Sequence, residues 1–311
     1  MERSGGKIAT DEERTPVPSD TTPTFRRLLL GRELRELRET KGLTAKAVSS
    51  EMEVAASWVT RIENGQRGIQ IRDLKRLFEL YDLGDERKKE KLLELARQAK
   101  QQGWWEPYKS TLPPRYADYV GLESSACSIR NAEVIVVPGL LQTEDYARHL
   151  LTHGMHDFTS EEVESRLRVR LQRQQNLLDR PEETCLDAIL DEAVLRRQVG
   201  GPGIMREQLA HLLSSAELGN ITLRVLPLAS GVHAGASGSF VILDFPGAAM
   251  DPIPYIETVA GDLYLEKRSD IETCEATWSY LKSQALRPAE SVATVAEIMK
   301  TYEAPNAGSG S

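Results

Sequence analysis

The stretch that decides the fold is residues 43–65, LTAKAVSSEMEVAASWVTRIENG, because it has the spacing of two short helices joined by a turn. The hydroxyl of Thr44 can accept a hydrogen bond from the free backbone N–H groups that begin the first helix. We expect this first helix to bury Ala47 and Val48 on one face. The chain is then predicted to turn at residues 53–54.

A second helix is predicted over residues 55–64. Val59 and Ile62 are three residues apart and are therefore expected to face inward. Gly65 can adopt the left-handed backbone of a helix C-cap, which would end the helix. Two short helices in this order form a helix-turn-helix, whose second helix reads the major groove of DNA. The sequence therefore predicts a DNA-binding module.

Residues near the start of a recognition helix reach base edges. Arg61 is the best candidate for base readout, because a guanidinium can donate two hydrogen bonds to guanine, worth about 1–3 kcal/mol of discrimination. The alternative is that Arg61 touches only phosphate or its neighbour Glu63. The residues predicted to contact DNA are Thr44, Lys46, Ala56, Ser57, Thr60, Arg61, Asn64 and Arg67.

A longer pattern surrounds this pair of helices. Its members are Arg35, Arg38, Gly42, Leu43, Thr44, Val48, Val59, Arg61, Ile62, Glu63 and Gly65. Together they resemble the Xre family, the phage-repressor and Cro type of regulator, over about residues 28–83. Ala45, Glu53 and Ala55 depart from the pattern, since relatives often carry glutamine, glycine and a serine or threonine cap there. The resemblance implies a regulator that binds an operator in double-stranded DNA.

Charge is distributed unevenly along the chain. Residues 26–76 hold twelve Lys and Arg against seven Asp and Glu, whereas the whole chain has a net charge of −8. One basic module in an acidic protein is typical of a sequence-specific DNA binder, because positive charge drives phosphate binding. Lys46, Arg67 and Arg72 are candidates for phosphate contacts, and each could equally be a solvated surface charge.

Composition limits the other classes of protein. The 311 residues are enough for about two domains. No run of about 18 apolar residues exists, so we expect no membrane-spanning helix, and the first residues lack the apolar segment of a secretory signal. Cys127, Cys185 and Cys274 show no C-x-x-C spacing, which predicts a reducing compartment and no structural zinc. We therefore expect a cytoplasmic protein without a metal or another cofactor.

Five segments are predicted along the chain. They are a disordered arm over residues 1–25, a helix-turn-helix domain over 26–84, a linking helix over 85–103, an α+β domain over 104–303 and a disordered tail over 304–311. The linking helix could join the first bundle, bridge the domains or pair with its copy in a dimer. The segment WWEPYKSTL that follows is predicted to dock between domains, with stacking on a ligand as the alternative.

The second domain alternates between predicted helices and strands. Helices are expected over residues 116–130, from 143, and over 160–178, 191–198, 203–218, 271–285 and 289–301. Strands are expected over residues 133–137, 184–190, 221–226, 239–245, 255–259 and 263–267. The predicted fold class is a mainly α N-terminal helix-turn-helix bundle plus a C-terminal α+β domain with a mixed sheet.

Several strings of this second domain carry a second resemblance. They are VPGLLQT at residues 137–143, YAR at 146–148, LDE at 190–192, GVH at 231–233 and YIE at 255–257. They are similar to the domain that follows the helix-turn-helix in WhiJ-type actinobacterial regulators. The resemblance implies an antitoxin-like domain that often works with a small partner protein encoded nearby. Our candidates for partner or ligand contact are Trp104, Trp105, Gln142 and His233.

Two groups of residues offer weaker hints of catalysis or metal binding. His149, His153 and His156 have nearly helical spacing, but surface histidines near a helix end are the favoured interpretation. His233 could be combined with Ser237, Ser239 and Asp191 or Glu192 into a hydrolytic set. The chain has no G-x-S-x-G elbow, so we expect no enzyme and no catalytic residue.

Three arginines share one face of the predicted helix 160–178. Arg166, Arg170 and Arg173 have helical spacing, and Glu162 precedes Arg166 by four residues. Such spacing favours an ion pair within the helix over extra contacts to DNA.

Together these patterns predict a cytoplasmic, homodimeric transcriptional regulator whose C-terminal domain binds a small partner protein or a ligand. One alternative is an antitoxin-like interaction protein whose DNA binding only autoregulates its operon. Another is a ligand-sensing or catalytic C-terminal domain. The patterns do not distinguish a repressor from an activator.

Overall fold

The computed structural model describes residues 23–100, 103–108, 112–154, 158–246, 250–259, 261–265 and 267–302. Several predictions fall outside these ranges: most of the arm, the end of the linking helix, part of the aromatic segment, His156 and the tail. The first helix begins at Pro23, so the last three residues of the predicted arm belong to a helix.

Five helices form the N-terminal bundle. They are α1 (Pro23–Thr40), α2 (Ala45–Glu51), α3 (Ser57–Glu63), α4 (Ile71–Leu80) and α5 (Glu86–Gln98). The expected pair of short helices is α2 and α3. Helix α5 packs on α1 and α4 and buries Leu92 and Leu95, so it is a member of this bundle.

The inner face of α2 differs from the prediction. Ala47 is exposed, whereas Val48 and Ser49 are buried. Ala45 is partly buried, and Val48 and Ser49, which follow it by three and four residues, lie on the same face of the helix and are buried with it. Ser49 is tolerated there because its hydroxyl donates to the carbonyl oxygen of Ala45 at 2.9 Å.

The second part of the chain contains six strands and seven α-helices within the described residues. These elements are α6 (Pro114–Glu123), β1 (Ser128–Glu133), α7 (Glu144–His153), α8 (Ser160–Leu178), β2 (Cys185–Asp191), α9 (Glu192–Arg196), α10 (Pro202–Ser215), β3 (Ile221–Leu226), β4 (Phe240–Asp244), β5 (Ile253–Thr258), β6 (Gly261–Tyr264), α11 (Arg268–Gln284) and α12 (Pro288–Lys300). The predicted bounds of α8 and β3 are confirmed.

The strands form one mixed sheet in the order β3-β2-β1-β4-β5-β6, which confirms the predicted fold class. The β1–β2 and β2–β3 pairs are parallel, and the other three pairs are antiparallel. Helices α10 and α12 bury apolar side chains against one face, and Trp278 and Leu281 of α11 pack on the other. Apolar side chains therefore cover both faces of the sheet.

Most predicted bounds differ from the structure by a few residues, and the largest errors concern one helix and one strand. Helix α6 ends at Glu123 instead of residue 130, because the hydroxyls of Ser124 and Ser125 donate back to carbonyl oxygens of the last turn. Strand β1 then begins at Ser128, and the apolar run predicted as a strand follows it as a loop. In this loop Ile135 is exposed and Val137 is buried.

The two parts of the chain meet at α1. The ring of Phe25 stacks on that of Phe245, with the ring centroids 4.7 Å apart, and α1 also contacts α6. The predicted docking tryptophan, Trp105, is buried instead beside Val120 and Val169 within the C-terminal part. Docking between the domains through Trp105 is therefore wrong. Across the described ranges, no helix is long and apolar enough to span a membrane.

Candidate nucleic-acid interface

The turn between α2 and α3 is built by local signals. The Thr44 hydroxyl accepts a hydrogen bond from the backbone N–H of Ala47 at 3.1 Å, which confirms the predicted cap. Glu53 has a φ of 55°, a left-handed conformation that costs a residue with a side chain about 1–2 kcal/mol. The chain therefore keeps the expected turn without the glycine that usually forms it.

Gly65 ends the recognition helix as predicted. Its φ is 66°, and a Cβ at this position would lie 2.7 Å from Cδ2 of Leu28. Both the left-handed backbone and the close approach of α1 therefore require glycine.

Helix α3 has one buried and one exposed face. Trp58, Val59 and Ile62 are buried in the bundle. The outward residues are exposed as predicted: Ala56, Ser57, Thr60 and Arg61. An exposed polar face on a short, firmly packed helix is the geometry that a major-groove reader requires.

Arg61 stands without a protein partner. Its side chain is exposed and makes no hydrogen bond or ion pair with any residue that the structure describes. The alternative that Arg61 pairs with Glu63 is wrong, because the Glu63 carboxylate is buried and accepts two hydrogen bonds from Arg38. All the donors of the Arg61 guanidinium therefore remain available to an outside acceptor.

The pair of Arg38 and Glu63 fixes the orientation of α3. Arg38 Nε and Nη2 donate to the two carboxylate oxygens at 2.7 and 3.0 Å, and Nη1 donates to the carbonyl oxygen of Leu43 at 2.7 Å. The hydrogen bond to Glu63 raises the pKa of Arg38. A buried bidentate pair is both strong and directional. It ties the recognition helix to α1.

Gly31 is a positioning residue that the sequence analysis missed. A Cβ at this position would lie 2.4 Å from the carbonyl oxygen of Glu63 and 2.5 Å from that of Ile62. The backbones of α1 and α3 therefore approach each other too closely for any side chain. The only sequence signal was a glycine inside a helical pattern, which often marks a packing requirement.

The basic residues around α3 are exposed to different degrees. Lys46 and Arg67 are exposed, and Asn64 is partly buried. Arg72 is exposed but has its Nε 3.3 Å from a carboxylate oxygen of Asp73. This weak pair leaves Lys46 and Arg67 as the stronger candidates for phosphate contact.

The four candidates for partner or ligand contact lie in different settings. Trp105 is buried, and Trp104 donates to the hydroxyl of Ser124 at 3.3 Å. Gln142 is 3% exposed and donates to the carbonyl oxygen of Val137 at 2.6 Å. The structure does not place these side chains on one exposed surface.

The last of the four, His233, meets Asp191 through Nε2 and a carboxylate oxygen at 2.9 Å. Its Nδ1 is buried without a partner among the described residues. The Ser239 hydroxyl accepts a hydrogen bond from the backbone N–H of Val134 at 3.1 Å. Of the possible hydrolytic set, the structure therefore brings His233 and Asp191 together, whereas the Ser239 hydroxyl is bonded to the backbone of Val134.

The histidines on α7 meet each other. The rings of His149 and His153 stack with centroids 4.1 Å apart, and the third histidine lies outside the described residues. Within the ranges that the structure covers, no three His, Cys, Asp or Glu side chains are grouped so that they could hold a metal ion.

The predicted ion pair between Glu162 and Arg166 is wrong. The Glu162 carboxylate accepts from the backbone N–H of Thr159 at 2.8 Å in a capping box at the start of α8. The guanidinium of Arg166 instead lies over the ring of Phe158, 4.0 Å from its centroid. The carboxylate of Glu162 bonds to the cap in preference to Arg166, because the cap satisfies a backbone N–H that would otherwise have no acceptor.

Comparison with known proteins agrees with this division of the chain. Residues 29–90 match a family model described as a helix-turn-helix domain, which supports a DNA-binding regulator. No curated protein and no solved structure shows significant similarity to the chain. Residues 116–297, more than half of the chain, match the family model described as "Domain of unknown function (DUF5753)", and the chain therefore belongs to that family.

Proposed function

We propose that the protein is a sequence-specific transcriptional regulator of the Xre type, which binds operator DNA as a homodimer through α3. One observation carries this proposal: Arg61 is exposed without a partner on a helix that a buried ion pair holds in place. A fixed helix with unpaired outward donors suits base readout, because the donors need no rearrangement to reach guanine. Two copies would read half-sites about one helical turn apart.

The C-terminal domain is proposed to control DNA binding. Helix α1 contacts both the C-terminal domain and the proposed recognition helix. Phe25 stacks on Phe245, and Gly31 and Arg38 contact the end of α3. A ligand or a small partner protein on the C-terminal domain can bias DNA binding only if it binds one arrangement of the two domains better than another. The shared helix provides the contact through which such a difference would act.

The test is to recover genomic DNA fragments with the purified full chain at moderate salt. We expect one short inverted repeat to be enriched by the wild type and lost by Arg61→Ala, at a cost of about 1–3 kcal/mol in discrimination. Lys46→Ala should lower affinity for all sequences alike, because phosphate contacts carry no sequence information. Arg97→Ala is the matched control, since Arg97 is an exposed arginine of α5 whose partner is Glu94.

Retention of full selectivity by Arg61→Ala, with the protein folded, would contradict the proposed recognition helix. The absence of any enriched sequence for the wild type would contradict sequence-specific binding by the chain on its own.

We further propose that the C-terminal domain binds and does not catalyse. Ser239 supports this, because its hydroxyl accepts the backbone N–H of Val134 and, within the described ranges, makes no hydrogen bond to His233, whose Nε2 meets Asp191 instead. A serine nucleophile would need its base within hydrogen-bond reach. Hydrolysis of ester or amide model substrates that Ser239→Ala abolishes would contradict the proposal.

A second candidate is an antitoxin-like interaction protein. It is favoured by apolar side chains at the end of the sheet where β1, β3 and β5 finish, since these three strands run in one direction. The exposed residues just beyond them are Ile135, Leu228, Val232 and Val259. Large exposed apolar patches mark interaction sites, and this candidate requires these four side chains to form one. A small protein that co-purifies in stoichiometric amount, and is lost with Val232→Ser and Val259→Ser, would support this candidate.

A further inference from the structure

Helix α8 presents three arginines toward α6, the segment 139–142 and β5. One of them is fully paired: Arg173 donates from Nε and Nη2 to the two oxygens of Glu123 at 2.7 and 2.6 Å. Both side chains of this pair are buried. The charge of Arg173 is therefore neutralised within the protein.

The other two arginines have no such partner. Arg170 donates from Nη1 to the amide oxygen of Gln142, which is a neutral acceptor, and Arg166 lies over Phe158. The Nε atoms of both are buried and have no partner among the described residues. Neither guanidinium has a carboxylate within ion-pair distance in the part of the chain that is described. Burial lowers the pKa of both groups, because it disfavours their charged form.

An unpaired buried cation is costly, and proteins seldom keep one without a compensating anion. Two acids act on these arginines without forming an ion pair: Glu162 acts on Arg166, and Glu257, which is exposed at the end of β5, acts on both. The backbone of Gly139 lies directly beside the arginines, since a Cβ there would be 3.8 Å from Arg170 Nε and 3.5 Å from Arg173 Nη1. The local charge balance therefore favours an anion from outside.

Aromatic rings stand next to these arginines. The hydroxyl of Tyr116 accepts from Arg173 Nη1 at 2.5 Å, and its ring stacks on Tyr119 with centroids 6.1 Å apart. Tyr119 stacks in turn on Tyr255, with centroids 4.2 Å apart. Arginine beside aromatic rings suits the recognition of an organic anion. The guanidinium binds the anionic group, and the rings can stack on the organic part.

We propose that Arg166 and Arg170 form a binding site for the phosphate or carboxylate group of a small anionic molecule. Guanidinium groups bind both anions through charge-assisted, often bidentate hydrogen bonds. Tyr116, which is partly exposed, would contact the organic part of the molecule. The site is built from contacts of the C-terminal domain alone, so it does not depend on the proposed binding of DNA.

The test titrates the full chain with inorganic phosphate and, separately, with succinate, against sodium chloride of equal ionic strength. Thermal unfolding reports the binding of either anion, and phosphorus NMR line widths report the binding of phosphate. We expect a saturable rise of Tm with at least one of the two anions, which also tells phosphate from carboxylate chemistry. Arg166→Gln should weaken the apparent affinity by about tenfold or more. Glu257→Gln should strengthen it, because a nearby negative charge is removed.

Arg168→Gln is the matched control, because Arg168 is an exposed arginine on the same helix that donates to the carbonyl oxygen of Glu164. It should bind as the wild type does. Equal affinities for the wild type, Arg166→Gln and Arg168→Gln would overturn the proposal, as would the absence of saturable binding of both anions. Arg166 is only partly buried, so its replacement should leave the fold intact, and Glu257→Gln tests the site without removing an arginine.

Discussion

The N-terminal bundle and the C-terminal domain each contain a buried arginine–glutamate pair and an arginine without an acidic partner among the described residues. They differ in how far the unpaired arginine is buried. In each, a buried glutamate from another helix holds one arginine with two hydrogen bonds: Glu63 holds Arg38, and Glu123 holds Arg173. In each, an arginine nearby has no acidic partner. In the bundle this is the exposed Arg61, whereas in the C-terminal domain it is Arg170.

The difference in burial indicates what each unpaired arginine is suited to bind. Water solvates the Arg61 guanidinium, so its lack of a partner costs little and a large polyanion can displace that water. Arg170 has lost part of its water without gaining a carboxylate, so a small anion that fits beside it would compensate a standing cost. An exposed arginine therefore suits a macromolecular surface, and a partly buried one suits a small molecule.

The largest expected effect comes from breaking the C-terminal pair. Glu123→Gln leaves Arg173 buried with a neutral partner, and we expect a loss of about 3–5 kcal/mol in the free energy of unfolding. Urea unfolding of the full chain measures it. Glu272→Gln is the control, because Glu272 and its partner Arg268 are both exposed on α11; it should change stability by less than about 1 kcal/mol. Equal losses in the two variants would remove the distinction between buried and surface pairs.

Glu63→Gln breaks the N-terminal pair and should cost somewhat less, about 3 kcal/mol, because Arg38 keeps a second carboxylate, that of Glu39, 3.3 Å from its Nη2. Unlike Glu123→Gln, it should also weaken specific DNA binding at temperatures where the protein is still folded. Gel-shift titration with an enriched fragment measures this second effect. The comparison fails if Glu123→Gln impairs DNA binding as much as Glu63→Gln does.

Glu133 extends the comparison to an acidic group, because its partly buried carboxylate has no arginine partner in the part of the chain that is described. Burial raises the pKa of Glu133 from 4.5 to about 7. The folded protein then holds a proton that the unfolded chain has released, so stability should fall as pH rises from about 4.5 to 7, by about 2–3 kcal/mol. Glu133→Gln should remove this slope and be the more stable protein at pH 8. Urea unfolding at several pH values checks it, and an unchanged slope in the variant would contradict the assignment.

Local signals explain which parts of the fold could be predicted. The Thr44 cap, the left-handed Gly65 and the bounds of α8 follow from residues within a few positions of one another. The end of α6 was missed because an apolar run further along outweighed two serines that compete for the backbone.

The arginine sites were beyond local reasoning. Arg173 finds its partner 50 residues away, and Arg38 finds its partner 25 residues away. Glu162 illustrates the opposite error, since its spacing favoured Arg166 but the backbone at Thr159 uses its carboxylate. The exposed face of α3 was predicted because it depends on the helix period alone, whereas the partners of its neighbours depend on how distant helices pack.

Helix α1 connects the C-terminal domain mechanically to α3. Its 18 residues span about 27 Å, with Phe25 held by the C-terminal domain near one end and Arg38 attached to the recognition helix near the other. Gly31 lies between them against the backbone of Ile62 and Glu63, and α1 would pivot at this close contact. A tilt of α1 by a few degrees would move its ends by about 1–2 Å, which is the size of helix shift that regulatory transitions use.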